Sequence, residues 1–350
     1  MTTRKLIALT ALSVTLIGAS IASAQVKQKG VWTAPKADSI PPAFLVQGEY
    51  LGRTEAGSPL GAQVIALGDG WLHVVVYFGG LPGAGWDEKH RILMEGELLE
   101  VTNGPRGKVV LKPVEGKRKY MSGKPTEFIP TRDFPPPGHK PWIGSIDGDL
   151  LSGKTDGGKT YSLKKTVRRS PTLGAKPPKG AVVLFDGSNL DHWNGGRIED
   201  GVLHTDAKDV TSKPRFKAYS IHVEFMTPFR PKARGQGRGN SGFYQTNGWE
   251  VQVLDSFGLE GLKNECGALY GKAAPRINMC LPPLTWQTYD VDLVAADDED
   301  GKSSATLTVR HNGVVIHDKV PTKLGGGNFK LQGHGNLLQY RNIWVIDRSR

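Results

Sequence analysis

A strand in the second half of the chain carries side chains suited to acid–base chemistry. In the run 249–255 (WEVQVLD), polar and apolar residues alternate, so a strand places Glu250 and Gln252 on one face and Trp249 on the other. A carboxylate can accept a proton, and a neighbouring amide can hydrogen-bond hydroxyl groups. The pattern indicates either general acid–base work on sugars or merely the exposed polar face of a half-buried strand.

Two glycine-rich loops lie on either side of this strand in the sequence. The basic loop 234–242 precedes it, and the later run 333–336 (GHGN) leaves His334 free to project. Such loops close over ligands in some proteins and are flexible surface in others. We take His334 as the second candidate for acid–base chemistry. The other histidines of this half are weaker candidates: His192, His204, His222, His311 and His317.

Familiar catalytic motifs do not occur in the chain. There is no Gly-x-Ser-x-Gly sequence of the serine hydrolases and no His-Glu-x-x-His zinc motif. A carboxylate and a histidine from separate strands could still bind a divalent ion. No cofactor is therefore assigned, and a divalent metal stays open.

The elements that position these residues are short strands. Among the 350 residues are 45 glycines and 23 prolines, which interrupt regular structure. The run 219–225 (YSIHVEF) alternates strictly, and Asn312-Gly313 between two apolar runs predicts a tight hairpin. At least seven strands fit into roughly the last 170 residues. We predict an all-β fold with a two-sheet sandwich or jelly roll in the second half.

The first half predicts a separate small β-rich domain. Short apolar runs at 44–50, 63–67 and 71–77 are separated by turns such as Gly68-Asp69-Gly70. A proline-rich stretch around 171–180 then divides the chain. The predicted division is a signal peptide 1–24, a tether 25–42, a β-rich domain 43–170, a linker 171–180 and a sandwich domain 181–350.

The N-terminus predicts export. Arg4-Lys5 precedes the apolar run 6–17, and the small residues 22–24 (ASA) match a signal-peptidase site. The run is shorter than the ~20 apolar residues of a membrane-spanning helix, and no later stretch is long enough to span. We expect a periplasmic, cell-surface or secreted protein. In such an oxidising compartment Cys266 and Cys280 are candidates for one disulfide.

The net charge of +11 belongs mainly to the first half. Residues 25–180 hold 23 lysines and arginines against 15 acidic residues, whereas residues 181–350 hold 20 against 19. The basic runs lie in segments rich in turn residues rather than on an aromatic-lined surface, which argues against nucleic acid as a partner. A solvated basic face, or one attracted to anionic envelope material, is expected.

Taken in order, the motifs of the second half resemble the 3-keto-disaccharide hydrolase family, also described as 3-keto-glucoside 1,2-lyases and 3-keto-2-hydroxyglucal hydratases. The resemblance covers about residues 181–347. The matching motifs are FDGSNLDHW (185–193), NSGFY (240–244), WEVQVLDS (249–256), CGALYG (266–271), WQTYD (286–290), LQGHGN (331–336) and YRNIW (340–344). The first domain resembles a β-rich leader of some exported relatives.

This resemblance implies a concanavalin-like jelly roll that acts on glycosides already oxidised at C3. A C3 ketone acidifies the C2 proton, so a base can form an enolate and expel the C1 substituent, after which water addition completes a net hydrolysis. The family pattern assigns Glu250 and His334 as catalytic residues or metal ligands. It assigns sugar or enolate contacts to Asn240, Gln252, Tyr270, Arg341 and Trp249.

Some features leave other interpretations open. Arg341 could instead form an ion pair at a sheet edge, and Tyr270 could be a core residue. Many relatives carry Asp immediately before the histidine, where this chain has Gly333. The alternative functions are a non-catalytic, lectin-like envelope protein and a cell-surface structural module.

Overall fold

The computed structural model describes residues 28–36, 39–99, 107–296 and 304–349. The predicted signal peptide 1–24 lies outside the described residues. Nearly all regular structure is β, which confirms the predicted all-β class. Within the described residues, no helix is both long and apolar enough to cross a membrane.

A closed eight-stranded barrel forms the first half. Its strands are Gly48–Thr54 (β1), Pro59–Gly68 (β2), Trp71–Phe78 (β3), Arg91–Leu98 (β4), Lys108–Pro113 (β5), Ile143–Asp147 (β8), Leu150–Lys154 (β9) and Thr160–Thr166 (β10), in the spatial order β1-β10-β9-β8-β5-β4-β3-β2. A long excursion between β5 and β8 holds the short parallel pair Lys119–Tyr120 (β6) and Phe128–Ile129 (β7), with a 3₁₀ turn Pro125–Glu127 before β7. The predicted hairpin turn is present, with Asp69 and Gly70 both at positive φ.

One run in this half differs from the predicted strand pattern. Residues 44–50 do not form one strand, because Pro42–Val46 is a short α-helix (α1) and β1 begins at Gly48. Pro42 opens the helix, where its missing N–H costs nothing. Part of the predicted tether is also fixed to the second half, since Trp32 and Phe229 exchange backbone hydrogen bonds of 3.1 and 2.9 Å.

A two-sheet sandwich forms the second half. The larger sheet contains Val182–Phe185 (β11), Arg197–Glu199 (β13), Val202–His204 (β14), Tyr219–Met226 (β16), Gln287–Ala295 (β19), Ala305–His311 (β20), Val314–Thr322 (β21) and Gln339–Asp347 (β23). The smaller sheet contains Trp193–Asn194 (β12), Val210–Arg215 (β15), Asn328–Leu331 (β22), Ser241–Tyr244 (β17) and Glu250–Val253 (β18), in that spatial order. A 3₁₀ turn Gly235–Gly237 lies between β16 and β17. The sandwich and its Asn312-Gly313 hairpin agree with the sequence prediction.

The barrel and the sandwich share apolar packing. Ile65 and Leu67 of β2, Val75 and Tyr77 of β3, and Leu93 of β4 belong to the same buried cluster as the core of the sandwich. These strands are covered on both faces, because the alternate residues of β2 and β3 fill the barrel interior. Continuous apolar runs such as 71–77 are the sequence sign of that double burial.

The expected disulfide is not formed. Cys266 and Cys280 are both buried free thiols. The Cys266 thiol contacts the Tyr289 hydroxyl at 3.2 Å, and the Cys280 thiol donates to the Leu254 and Leu281 carbonyls at 3.5 Å. Each thiol therefore has its own hydrogen-bond partners, without a covalent link between the two.

Candidate functional site

Polar side chains form a row across the outer face of the smaller sheet. Glu250 of β18 lies opposite Tyr244 of β17, which in turn lies opposite Lys330 of β22. Their neighbours along each strand, Val251 and Phe243, are fully buried between the sheets. The two-residue period of the strands therefore directs one set of side chains into the core and the other onto an open face.

The Glu250 carboxylate occupies a specific position on this face. It is half-buried, lies directly opposite Tyr244 in the strand pairing and interacts with the Tyr244 hydroxyl. A Cβ at Gly242 would lie 2.1 Å from Glu250 Oε1, so a side chain there would displace the carboxylate. Burial raises the pKa of Glu250, and this is opposed by the Tyr244 hydroxyl and by the nearby Lys330 and His334 side chains. Burial, together with the Glu250 carboxylate, raises the pKa of Tyr244.

Gln252 links Glu250 to the preceding loop. The terminal amide is best oriented with its NH₂ group donating to Glu250 Oε1 at 3.0 Å and to the Ser241 carbonyl at 2.8 Å. Its oxygen then faces the side-chain amides of Gln236 at 2.9 Å and Asn240 at 3.3 Å. The structure thus brings together two predicted residues, Gln252 and Asn240, although both are almost completely buried.

A lysine–aspartate pair borders the carboxylate. Lys330 Nζ lies 3.1 Å from Asp209 Oδ2 and 3.8 Å from the centre of the Tyr244 ring. Asp209 Oδ1 also accepts a 3.0 Å hydrogen bond from the Gly333 backbone N–H. A Cβ at position 333 would lie 2.2 Å from the Lys208 backbone, so no acidic side chain fits there. Asp209 supplies a carboxylate next to this glycine instead.

Two predicted residues lie at the rim of the cluster. His334 is exposed and close enough to Glu250 to lower its pKa, while Asn336 donates a 2.9 Å hydrogen bond to the His334 carbonyl. Tyr270 is 42% exposed, so it is not a core residue, and its backbone N–H donates to the Glu250 carbonyl at 3.0 Å. Both side chains are accessible to a molecule bound over Glu250.

The structure separates two predicted residues from Glu250. Trp249 packs against the core cluster, with Lys272 Nζ at 5.0 Å from its ring centre, because it has the opposite strand parity from Glu250. Arg341 lies on β23 of the other sheet, where its Nε donates to Glu224 at 2.7 Å and its guanidinium stacks on Trp286. Arg341 thus forms the ion pair that the sequence left as the alternative, and its sugar or enolate contact stays a prediction.

Sequence reasoning missed three members of the cluster. Tyr244 and Lys330 could have been found from the two-residue period, because each alternates with a core phenylalanine, Phe243 or Phe329. Asp209 carried no such signal. Its position depends on the pairing of β15 with β22, which joins residues more than a hundred positions apart.

The arrangement offers proton transfer next to a cation. Glu250 can accept a proton, Tyr244 and His334 can donate one, and the Lys330 ammonium can stabilise negative charge that develops on a bound molecule. Among residues 28–36, 39–99, 107–296 and 304–349, no three His, Cys, Asp or Glu side chains are grouped to hold a metal ion.

The family comparison matches the half of the chain that carries this cluster. Residues 180–346 match the model of the 3-keto-alpha-glucoside-1,2-lyase-like domain. A search of curated proteins gives no significant match.

Solved structures from Parabacteroides distasonis are similar to the same half. One candidate glycosyl hydrolase from this organism is 30% identical, over 49% of this chain and 84% of its own, with a TM-score of 0.44. A second is 19% identical, over 48% of this chain and 94% of its own, with a TM-score of 0.36. Because both TM-scores are below 0.5, the assignment rests on sequence rather than on shape. Through residues 180–346, the chain belongs to the 3-keto-alpha-glucoside-1,2-lyase-like family of carbohydrate-acting domains.

Proposed function

We propose that this chain cleaves 3-keto-glycosides by removing the C2 proton and expelling the C1 substituent, with Glu250 as the base. The observation that carries this proposal is a half-buried carboxylate on an open sheet face, with a cation and two proton donors beside it. A raised pKa makes the ionised carboxylate a stronger base. The family membership supports the sugar substrate.

The proposed reaction has two stages. Glu250 takes the proton from C2, and the electron pair of that C–H bond forms the enolate with its charge on the C3 oxygen. The enolate then re-forms the ketone, a C1=C2 double bond appears, and the C1–O bond breaks. The departing oxygen takes a proton from His334, which is exposed at the rim of the cluster. Addition of water across the double bond then gives net hydrolysis.

Lys330 is proposed to stabilise the enolate. A buried or fixed cation next to developing charge lowers the barrier more than a mobile one, because no reorganisation is needed. Asp209 and the Tyr244 ring hold the Lys330 ammonium in place. This role replaces the enolate contact that the family pattern assigned to Arg341.

Export and envelope association are further parts of the proposal. The basic start, apolar run and ASA sequence of residues 1–24 support cleavage before Gln25. Mass measurement of the protein recovered from the expressing cells would show a mature start at Gln25, and an intact N-terminus would contradict export. Association of the basic first half with anionic envelope material predicts retention that high salt releases.

The direct test is release of a chromophoric leaving group from a 3-keto-glucoside. We expect turnover by the wild type, a loss of about 10²–10⁴-fold in kcat for Glu250→Gln, and retained affinity for the sugar. Glu97→Gln, an exposed carboxylate on the barrel strand β4, is the matched control and should be fully active. Repeating the assay with a chelator tests the metal requirement.

The lectin-like alternative gives a different result in the same assay. A binding protein would retain sugar without releasing the leaving group, and Glu250→Gln would have no turnover to lose. That outcome would contradict the enzymatic proposal and leave carbohydrate binding as the function of the face.

A further inference from the structure

The loop that joins the two sheets crosses the barrel before it reaches the candidate site. It runs from the end of β16 at Met226 to the start of β17 at Ser241. Two of its three arginines, Arg234 and Arg238, turn away from the open face and towards the barrel strand β2. These two arginines therefore contact the barrel rather than present their positive charge to solvent.

Arg234 is a cap for backbone carbonyls. It donates to the Leu67 carbonyl at 2.8 Å and to the Ser122 carbonyl at 3.1 Å, both in the barrel half, and its guanidinium lies 5.5 Å from the centre of the Phe128 ring. Its hydrogen bonds go to carbonyl oxygens and not to a carboxylate. Burial, and the nearby charge of Arg238, lower the pKa of Arg234 to about 10. Burying a cation is unfavourable unless it is hydrogen-bonded, so the contacts of Arg234 with these carbonyls are specific.

Arg238 fixes the other end of the same loop. Its Nη1 donates to the Ala66 carbonyl of β2 at 3.2 Å, and its Nε donates to Asp255 Oδ2 at 2.7 Å. Asp255 lies two residues after the end of the strand of Glu250, and its backbone N–H donates to the Arg238 carbonyl at 3.0 Å. Arg238 thus joins the barrel, the loop and the end of β18.

The residues between and after these arginines face the site. Gln236 and Asn240 contact the Gln252 amide, and that amide contacts Glu250 Oε1. A continuous set of contacts therefore runs from the barrel strand β2 through the loop to the proposed base.

We propose that the barrel is a positioning platform for the catalytic face: it holds the loop 234–240, which orients Gln252 against Glu250. In this arrangement Arg234 and Arg238 are positioning residues that touch no reacting atom. The inference rests on the proposed function for its activity readouts, and it gives the first half a role that no sequence motif assigned.

The test compares two arginines that both contact the other half of the molecule. Arg234→Met removes the carbonyl cap but keeps most of the side-chain length. Arg276→Met is the control, because Arg276 pairs with Glu88 of the barrel at 2.7 Å but does not contact the loop 234–240. The amides of Gly237 and Arg238, which donate to loop carbonyls, report loop order by hydrogen exchange.

For Arg234→Met we expect exchange at these amides to rise about tenfold and kcat/KM to fall about 10- to 100-fold. Once the loop no longer orients the Gln252 amide, the acid limb of the kcat/KM profile should also shift to higher pH, because the Glu250 carboxylate loses the hydrogen bond from that amide. The other groups that act on Glu250 are unchanged in this variant: Tyr244, Lys330, His334 and Asp209. Arg276→Met should match the wild type in all three measurements.

A second variant separates positioning from folding. Gln236→Leu leaves both arginine anchors intact but removes the contact with Gln252, together with the 2.8 Å hydrogen bond from Gln236 to the Asn264 carbonyl, so it should show the pH shift with a smaller rise in loop exchange than Arg234→Met. Loop exchange unchanged in Arg234→Met, or faster exchange with unaltered kcat/KM and pH profile, would overturn the inference. If the wild type releases no leaving group, the proposed function fails, and loop exchange in Arg234→Met against Arg276→Met alone decides whether the barrel holds the loop.

Discussion

The two outer faces of the sandwich carry similar residues in opposite settings. On the smaller sheet, Glu250 is half-buried on an open face, and burial raises its pKa. On the larger sheet, Glu224 is fully buried. Burial alone would raise the pKa of Glu224, but donors from His222, Asn342, the Gly174 backbone and Arg341 together lower it to about 2.

This contrast shows why residue type alone does not identify a catalytic group. The oxygens of Glu224 accept hydrogen bonds of 2.5 Å from the Gly174 N–H, 2.9 Å from Asn342 and 2.7 Å from Arg341. These bonds fasten the predicted linker 171–180 to the outer face of the larger sheet. A carboxylate saturated in this way stabilises structure, whereas a carboxylate with an open side can accept a substrate proton.

The largest expected effect separates the two carboxylates by stability. Glu224→Gln removes the negative charge between His222 and Arg341. Arg341 is 38% exposed and His222 keeps its Asp290 partner, so the free energy of unfolding should fall by about 2–3 kcal/mol, the range for lost hydrogen bonds to a charged group. The activity of the remaining folded protein should be unchanged. Urea unfolding of both variants, with kcat measured on the folded fraction, would show the loss of stability in Glu224→Gln and the loss of kcat in Glu250→Gln.

A matched control lies beside Glu224. Asp186 lines the same cavity of about 400 Å³ but is exposed, so Asp186→Asn should change stability by no more than about 0.5 kcal/mol. If Glu224→Gln were as stable as this control, the structural role of the buried carboxylate would be wrong.

A smaller effect is expected at the cation of the open face. Lys330→Met removes the proposed stabiliser of the enolate, so kcat should fall about 10²-fold while the fold is retained. Arg341→Met is the comparison, since the family pattern assigned this role to Arg341 and the structure places Arg341 next to Glu224. Steady-state kinetics on the 3-keto-glucoside would contradict this assignment if Arg341→Met lost kcat and Lys330→Met did not.

Local sequence patterns predicted the features that depend on neighbouring residues. The period of two placed Glu250 and Gln252 on one face, and turn residues placed the hairpins at 68–70 and 312–313. Barrel closure was not predictable in this way, because it depends on β1 pairing with β10, across more than a hundred residues.

The same limit explains why the sequence did not place every residue of the site. Arg341 has the parity of an outward-facing residue, but parity does not say to which of the two sheets a strand belongs. Asp209 lies at the start of a strand whose partner follows much later in the chain. The arginines of the loop 234–242 resembled a free basic surface, since their barrel carbonyl partners carry no sequence signal.

The smallest expected effect concerns the pH dependence of stability on the larger sheet. Burial alone would lower the pKa of His222, but its contacts with Asp290 at 2.6 Å and Glu224 at 3.5 Å raise it above the ordinary 6.5. The stability that the charged ring contributes is therefore complete below pH 6.5 and is lost as the pH rises through the folded-state pKa. Burial lowers the pKa of other histidines, such as His311 with a pKa of about 3. The test therefore compares the stability of the wild type with that of a His222 variant, so that the contributions of the other histidines cancel. Urea unfolding of wild type and His222→Gln between pH 6 and 9 should give a stability difference that shrinks with rising pH. Glu224 is ionised throughout this range, so only the His222 ring changes its charge. A constant difference would mean that the ring is neutral in the folded protein.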